Sequence, residues 1–168
     1  NGTIRMMTRG NGTVGSNISN LSSHILHNID TSVDFAIRGE LIISKSNFET
    51  HLMKNGFKNS RNIVAGIANS KEVPTTVQYV DFVAYETISP SLTPTEQLEF
   101  ANSRGFKIVK NKFVECTVDT CCNYLKDWKS SYEYEIDGII LADNKIFERT
   151  NENPKHSVAF KMNESTNF

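Results

Sequence analysis

The stretch Asp34-Phe35-Ala36-Ile37-Arg38-Gly39-Glu40-Leu41-Ile42-Ile43-Ser44 decides how the rest of the chain is read. Its apolar residues Phe35, Ile37, Leu41 and Ile43 fall on or near one parity, the pattern of a half-buried strand. Arg38 and Glu40 are two apart and therefore share a face. The glycine between them lets a ligand or another chain segment approach the backbone. A carboxylate on such a face can accept two ribose hydroxyls. An exposed cross-strand ion pair fits the same tripeptide.

Working outward, residues 3–8 alternate with period 2 and predict a strand, led in by Asn1-Gly2 as the tight turn of a hairpin. Residues 9–15 hold three glycines and predict a loop. Ser16 is expected to cap a helix carrying Ile18, Leu21, Ile25 and Leu26. Ser44 or Ser46 opens a further helix through Leu52, stopped by Asn55-Gly56, and residues 62–68 make a short one. Thr93-Pro94-Thr95-Glu96 is a capping box with proline at the first helical position, opening a helix that ends at Gly105. Residues 118–129 read as helix. Residues 77–85, 106–109, 112–116, 134–141, 145–149 and 157–162 read as extended. Strands and helices alternate irregularly, which predicts an α+β fold with antiparallel sheet and flanking helices, and not a doubly wound parallel sheet.

The 168 residues fit one domain, and a hydrophobic content of 38% is ordinary for a chain with a core. The formal net charge of -1 excludes bulk charge as an argument for a nucleic-acid or membrane partner, so any such site must be local. No apolar run approaches the roughly 20 residues of a membrane helix, so no membrane partner is expected. Cys116, Cys121 and Cys122 are odd in number and lack a spaced framework, which argues for reduced thiols and an intracellular setting. His24, His27, His51 and His156 supply no partners at ligand spacing, so no protein-held metal is expected.

Four further stretches bear chemistry. Glu135-Ile136-Asp137-Gly138 places carboxylates at the mouth of the apolar run Ile139–Leu141; Asp137 can orient a base or a metal-bound water, or act as a plain turn acid. Lys161 ends the stretch Ser157-Val158-Ala159-Phe160, where an amine either meets an anion such as phosphate or snorkels out. Arg61 opens the short helix at 62–68, beside backbone N–H groups that favour anions, or is a plain surface arginine. Thr8-Arg9-Gly10-Asn11-Gly12 puts a cation in a glycine-rich loop.

Taken in order, Thr8-Arg9-Gly10-Asn11-Gly12, Arg38-Gly39-Glu40, Ser60-Arg61-Asn62 with Ala65-Gly66, Glu135-Ile136-Asp137-Gly138 and Ala159-Phe160-Lys161 resemble the adenylation (nucleotidyltransferase) domain of NAD-dependent DNA ligases. The match covers nearly the whole chain. The Asn-rich composition and the short interval from Asp137 to Lys161 look more like large-virus members than bacterial ones. The resemblance implies the antiparallel-sheet, ATP-grasp-like nucleotidyltransferase fold. It implies that residues 1–168 are a partial adenylation domain lacking an upstream nucleophile segment. It also implies transfer of AMP from NAD through a lysyl-AMP to a 5′-phosphate at a nick in duplex DNA, with magnesium. The remaining ligase segments, an upstream nucleophile segment and DNA-binding modules, would be partners.

By motif position Glu40 would contact the adenosine ribose, and Lys161 the α-phosphate. Arg9 would position the nucleotide. Arg61 would hold the phosphate end of the cofactor or nick. Asp137 would lie near the reacting phosphate, and Ile139 would line the nucleotide site. The chain departs from the family pattern in having no Lys-x-Asp-Gly, Asn11 for an aspartate, Ala142 for a lysine, Lys129 for an arginine and Asn69 near a second basic position. Those departures keep open a non-catalytic subunit that binds nicks or a partner chain. An ATP-dependent RNA ligase or capping nucleotidyltransferase shares three of the blocks.

Overall fold

The computed structural model describes residues 2–150 and 154–162. Its backbone is organised by a long antiparallel ladder between β1 (Ala36–Ile43) and β2 (Val80–Ser89), with Glu40 opposite Val83 and Ile43 opposite Val80. Alternation in β1 leaves Arg38 and Glu40 on the exposed side and turns Ile37, Gly39 and Leu41 inward. The register shifts where Arg38 faces Glu86 but Gly39 faces Ala84, so Tyr85 is an extra residue bulged out of β2. A Cβ on Gly39 would stand 2.6 Å from Phe82 Cζ and 2.6 Å from the Val83 carbonyl, so only glycine lets the strands close here.

From β2 the chain enters α4 (Pro94–Ser103) and returns as the short β3 (Lys107–Ile108), parallel to β2 at Val83 and Ala84. Thr93 and Glu96 complete the capping box. Thr87, fully buried, donates its hydroxyl to the Gln97 carbonyl at 2.7 Å and fastens α4 to β2. One side of the sheet buries Leu21, Ile25, Ile43, Leu52, Ile63, Ile67 and Val80. Ile43 and Val80 are the strands' own; the others come from the turn at Ser19–Leu21, α1 (Ser22–Ile25), α3 (Ser60–Asn69) and the turns that follow α2 (Lys45–Asn47). A second core joins Ala84, Ala101 and Phe106, against which Phe35 packs edge-on at 5.5 Å between ring centres. α5 (Val118–Ser131) precedes a separate antiparallel hairpin of β4 (Ile139–Ala142) and β5 (Ser157–Phe160). Among the described residues no helix is long and apolar enough to cross a membrane.

The mixed α and β composition and antiparallel-rich pairing follow the expectation, as do the capping box and the cap at Ser44. Several elements differ. Among the described residues, 3–8 form no sheet strand: their backbone pairs with residues 16–18, where Met7 bridges Asn17, and the Ser19 hydroxyl takes the Met6 N–H at 3.0 Å. Ser16 caps nothing; its N–H goes to Thr8 Oγ1, and the helical turn begins at Ser19. Residues 112–116 and 145–149 form no strand, and 134–141 shortens to β4. In that last stretch the Tyr134 hydroxyl donates to Asp81 at 2.6 Å, which ties it to β2 through a side chain. The expected Asn1-Gly2 turn rests on Asn1, outside the described residues.

Candidate functional site

A cavity of about 1010 Å³ lies along β1, lined among others by Arg9, Arg38, Glu40, Val64, Phe82 and Tyr85. Arg9 reaches it from a loop shaped by Asn11, whose side-chain oxygen accepts the Thr13 and Val14 N–H groups at 3.0 and 2.8 Å. That closure needs only a carbonyl oxygen, so asparagine in place of aspartate costs the loop no hydrogen bond. Gly10 holds a φ of 53°, and a Cβ there would lie 1.8 Å from the Val14 carbonyl, so the turn that carries Arg9 requires glycine.

The bulge re-aims Tyr85 out of the ladder into this environment, with 43% of its surface exposed. Its phenol is pushed above the ordinary tyrosine value chiefly by burial of the hydroxyl, and it feels the charges of Arg38, Glu40, Glu86 and Arg9. Tyr85 also lines a second cavity of about 380 Å³, together with Ile139, Ile136, Tyr124 and Trp128. A side chain with a flat apolar face and a polar tip thus borders both spaces.

The hairpin contributes the third group. Lys161 donates to Asp137 Oδ2 at 3.3 Å, an exposed pair across the start of β4 and the end of β5. A Cβ on Gly138 would meet Lys161 Cγ and the Phe160 carbonyl, each at 2.8 Å, so the glycine is what lets lysine lie over Asp137. The hydrogen bond and charge of Lys161 hold the Asp137 carboxyl below the ordinary aspartate value, and the Arg61 guanidinium adds to the effect. Arg61 stands on the first turn of α3, whose cap is Asn59 accepting the Arg61 N–H at 2.8 Å. The Asp137–Lys161 pair therefore lies within the field of Arg61, the weakest of the influences on the Asp137 carboxyl.

Two polar ties dock the hairpin on the rest of the fold. Asn144, just after β4, accepts both the Thr95 N–H and its hydroxyl at 3.0 Å. Arg149 donates to Glu86 Oε1 at 2.6 Å and to the Thr87 carbonyl at 3.1 Å. Arg38 takes the other oxygen of the same carboxylate at 2.9 Å, so Glu86 bridges β1 to the β4–β5 connection.

The structure thus brings together Arg9 with Glu40, and Asp137 with Lys161 and Arg61, and places Ile139 on the second cavity. Arg61, Asp137 and Lys161 do not line the first cavity. Tyr85, Glu86 and Arg149 are the residues that sequence reading passed over. The only signal for them was the odd residue in the 77–85 alternation, and an arginine in an otherwise unremarked stretch. Lys145, close to the position where Ala142 replaces a lysine, pairs with Asp143 at 3.3 Å and not with Asp137. Asn69 closes the end of α3 on the Ala65 carbonyl at 2.9 Å. Lys129 lends its carbonyl to Lys45 at 2.9 Å.

The family model of the NAD-dependent DNA ligase adenylation domain matches residues 1–165. A DNA ligase of Acanthamoeba polyphaga mimivirus is 38% identical over 96% of this chain and 26% of its own length. A putative DNA ligase of invertebrate iridescent virus 6 is 32% identical over 95% of the chain and 28% of its own length. A DNA ligase of the bacterium Borrelia turicatae is 31% identical over 96% and 27%. The chain spans about a quarter of the length of these relatives. With a match over nearly every residue, and with large-virus and bacterial ligases both among its relatives, the chain belongs to the NAD-dependent DNA ligase adenylation domain family.

Proposed function

We propose that this chain is the nucleotide-binding body of an NAD-dependent DNA ligase, and that it holds NAD and then the adenylate during AMP transfer to a nick. One observation carries the reading. Asp137 and Lys161 sit paired within the field of Arg61, while Tyr85 borders both the Arg9–Glu40 cavity and the cavity that takes Ile139. Ribose, base and phosphate need an acceptor, an aromatic face and cations respectively, and these three kinds of group stand there.

Glu40 accepts the ribose hydroxyls from the exposed face of β1. Tyr85 and Ile139 offer faces to the base. Lys161 leaves Asp137 for the α-phosphate, whose oxygens gain negative charge as the nucleophile attacks, and Arg61 and Arg9 hold the flanking phosphate oxygens. The nucleophile is a lysine of a Lys-x-Asp-Gly segment, which these 168 residues do not contain. Its amine forms the N–P bond as the bond to the nicotinamide mononucleotide phosphate breaks. Catalysis here is positioning plus stabilisation of oxyanion charge. The 5′-phosphate of the nick then takes the AMP, and the 3′-hydroxyl displaces it.

Magnesium fits this site in one way only. Among the described residues no three His, Cys, Asp or Glu side chains gather as a ligand set, and Asp137 is a single carboxylate. A magnesium ion keeps most of its waters and rides on substrate phosphates, so Asp137 would hold one of those waters. When bound, the ion neutralises phosphate charge.

The test is covalent labelling of the full-length polypeptide that carries these residues, using NAD labelled in its adenylate. Label is expected on a lysine, and Lys161→Ala or Glu40→Ala is expected to cut its rate by about 10²-fold or more. Label from ATP in place of NAD would overturn the cofactor. Nick binding without any adenylate would favour a binding subunit, and label undiminished in Lys161→Ala would remove its assigned role.

A further inference from the structure

The three cysteines lie away from the roles assigned above, and two of them meet. Cys116 immediately precedes Thr117, the N-cap of α5. The Thr117 hydroxyl accepts the Thr120 N–H at 3.1 Å, and the Cys121 N–H closes on the Thr117 carbonyl at 3.0 Å. That cap folds the incoming chain back over the first turn and sets the Cys116 and Cys121 sulfurs 3.4 Å apart. Cys116 is exposed and Cys121 buried. Cys122 is the next residue on the helix and points roughly 100° further round its axis.

We propose that Cys116 and Cys121 are a peroxide-sensitive dithiol that closes to an intrachain disulfide. The Cys116 sulfur attacks one oxygen of hydrogen peroxide and the O–O bond breaks, giving a sulfenic acid and one water. The Cys121 sulfur then attacks the Cys116 sulfur and the S–O bond breaks. The S–S bond forms, and the hydroxyl leaves as a second water with the Cys121 proton. Two thiols lose two hydrogens and two electrons, and the peroxide is reduced to two waters. Exposure fixes the order, because peroxide reaches Cys116 first. Burial and the neighbouring thiol push the Cys121 thiol above its ordinary value, which keeps it protonated and inert until the sulfenic acid stands against it. Cys121 and residues 112–114 line the second cavity, so the bond ties the segment entering α5 to the helix at that cavity's wall.

Trypsin cuts after Lys112 and Lys126, so one peptide carries all three cysteines. The full chain is treated with hydrogen peroxide, quenched, alkylated and digested. The peptide is expected to fall from three alkylated cysteines to one, on Cys122, and to recover all three after dithiothreitol. Cys122→Ser is expected to keep the bond, and Cys116→Ser, at an exposed position that does not threaten folding, to lose it. Three alkylated cysteines after peroxide would overturn the proposal. So would a bond to Cys122, a link between chains, or sulfinic acid on Cys116 with Cys121 still free.

Discussion

The β1–β2 ladder and the β4–β5 hairpin each carry part of the proposed nucleotide site, but they are held in opposite ways. In the ladder, Ile43, Val80, Val83, Ala84 and Thr87 are buried, so the backbone under Glu40 and Tyr85 is anchored in two cores. In the hairpin no residue of either strand is buried, and Ile140 and Val158 are 69% and 57% exposed. Asp137 and Lys161 are placed by each other and by the ties through Asn144 and Arg149. Ribose recognition needs a fixed acceptor, and the core supplies one. A lysine that must leave a carboxylate for a phosphate needs a weak hold, and an exposed ion pair supplies that.

The contrast can be broken by substitution. Leu21→Ala, in the larger core, is expected to lower unfolding free energy by about 3 kcal/mol, whereas Ile140→Ala changes it by no more than about 0.5 kcal/mol. Urea denaturation of both variants checks this, and equal losses would erase the distinction. A smaller effect separates docking from stability. Arg149→Ala is expected to leave the urea midpoint nearly unchanged and to slow adenylate formation about tenfold, roughly 1.4 kcal/mol in barrier. Arg149→Lys restores only part of that rate, because a single ammonium does not reproduce the fork to Glu86 and the Thr87 carbonyl. The smallest effect is on pH. The folded Asp137 carboxyl lies below its unfolded value, so its pairing contributes at neutral pH and is lost as pH falls through the folded value, below about pH 4. Both partners are exposed, so the contribution is small and salt-sensitive. A carbon-13 titration of Asp137 is expected to shift upward in Lys161→Met.

How far the sequence could be read depended on where each element's partners lie. The start of α4 was legible because Thr93, Pro94 and Glu96 carry the whole cap within four residues. The strand β1 was legible because its buried parity is its own. Residues 3–8 mislead because alternation states a preference for extended backbone and says nothing of a partner, and among the described residues their backbone pairs with 16–18 alone. Arg9, Glu40, Arg61, Asp137 and Lys161 stand out only through ordered motif blocks, since none is distinctive in composition, and their roles stay proposals. The placement of Tyr85 and Arg149 is not legible locally because it depends on distant residues: a register shift against Gly39, and a carboxylate at Glu86 far upstream of Arg149.

The extra residue at position 85 belongs to one strand and has no partner across the ladder, whereas every pair from Glu40–Val83 to Ile43–Val80 is fixed by the core. A side chain exchanged there answers to the contents of the cavities and not to the sheet. A substitution at this single position therefore reshapes the walls of both cavities at small cost to the ladder.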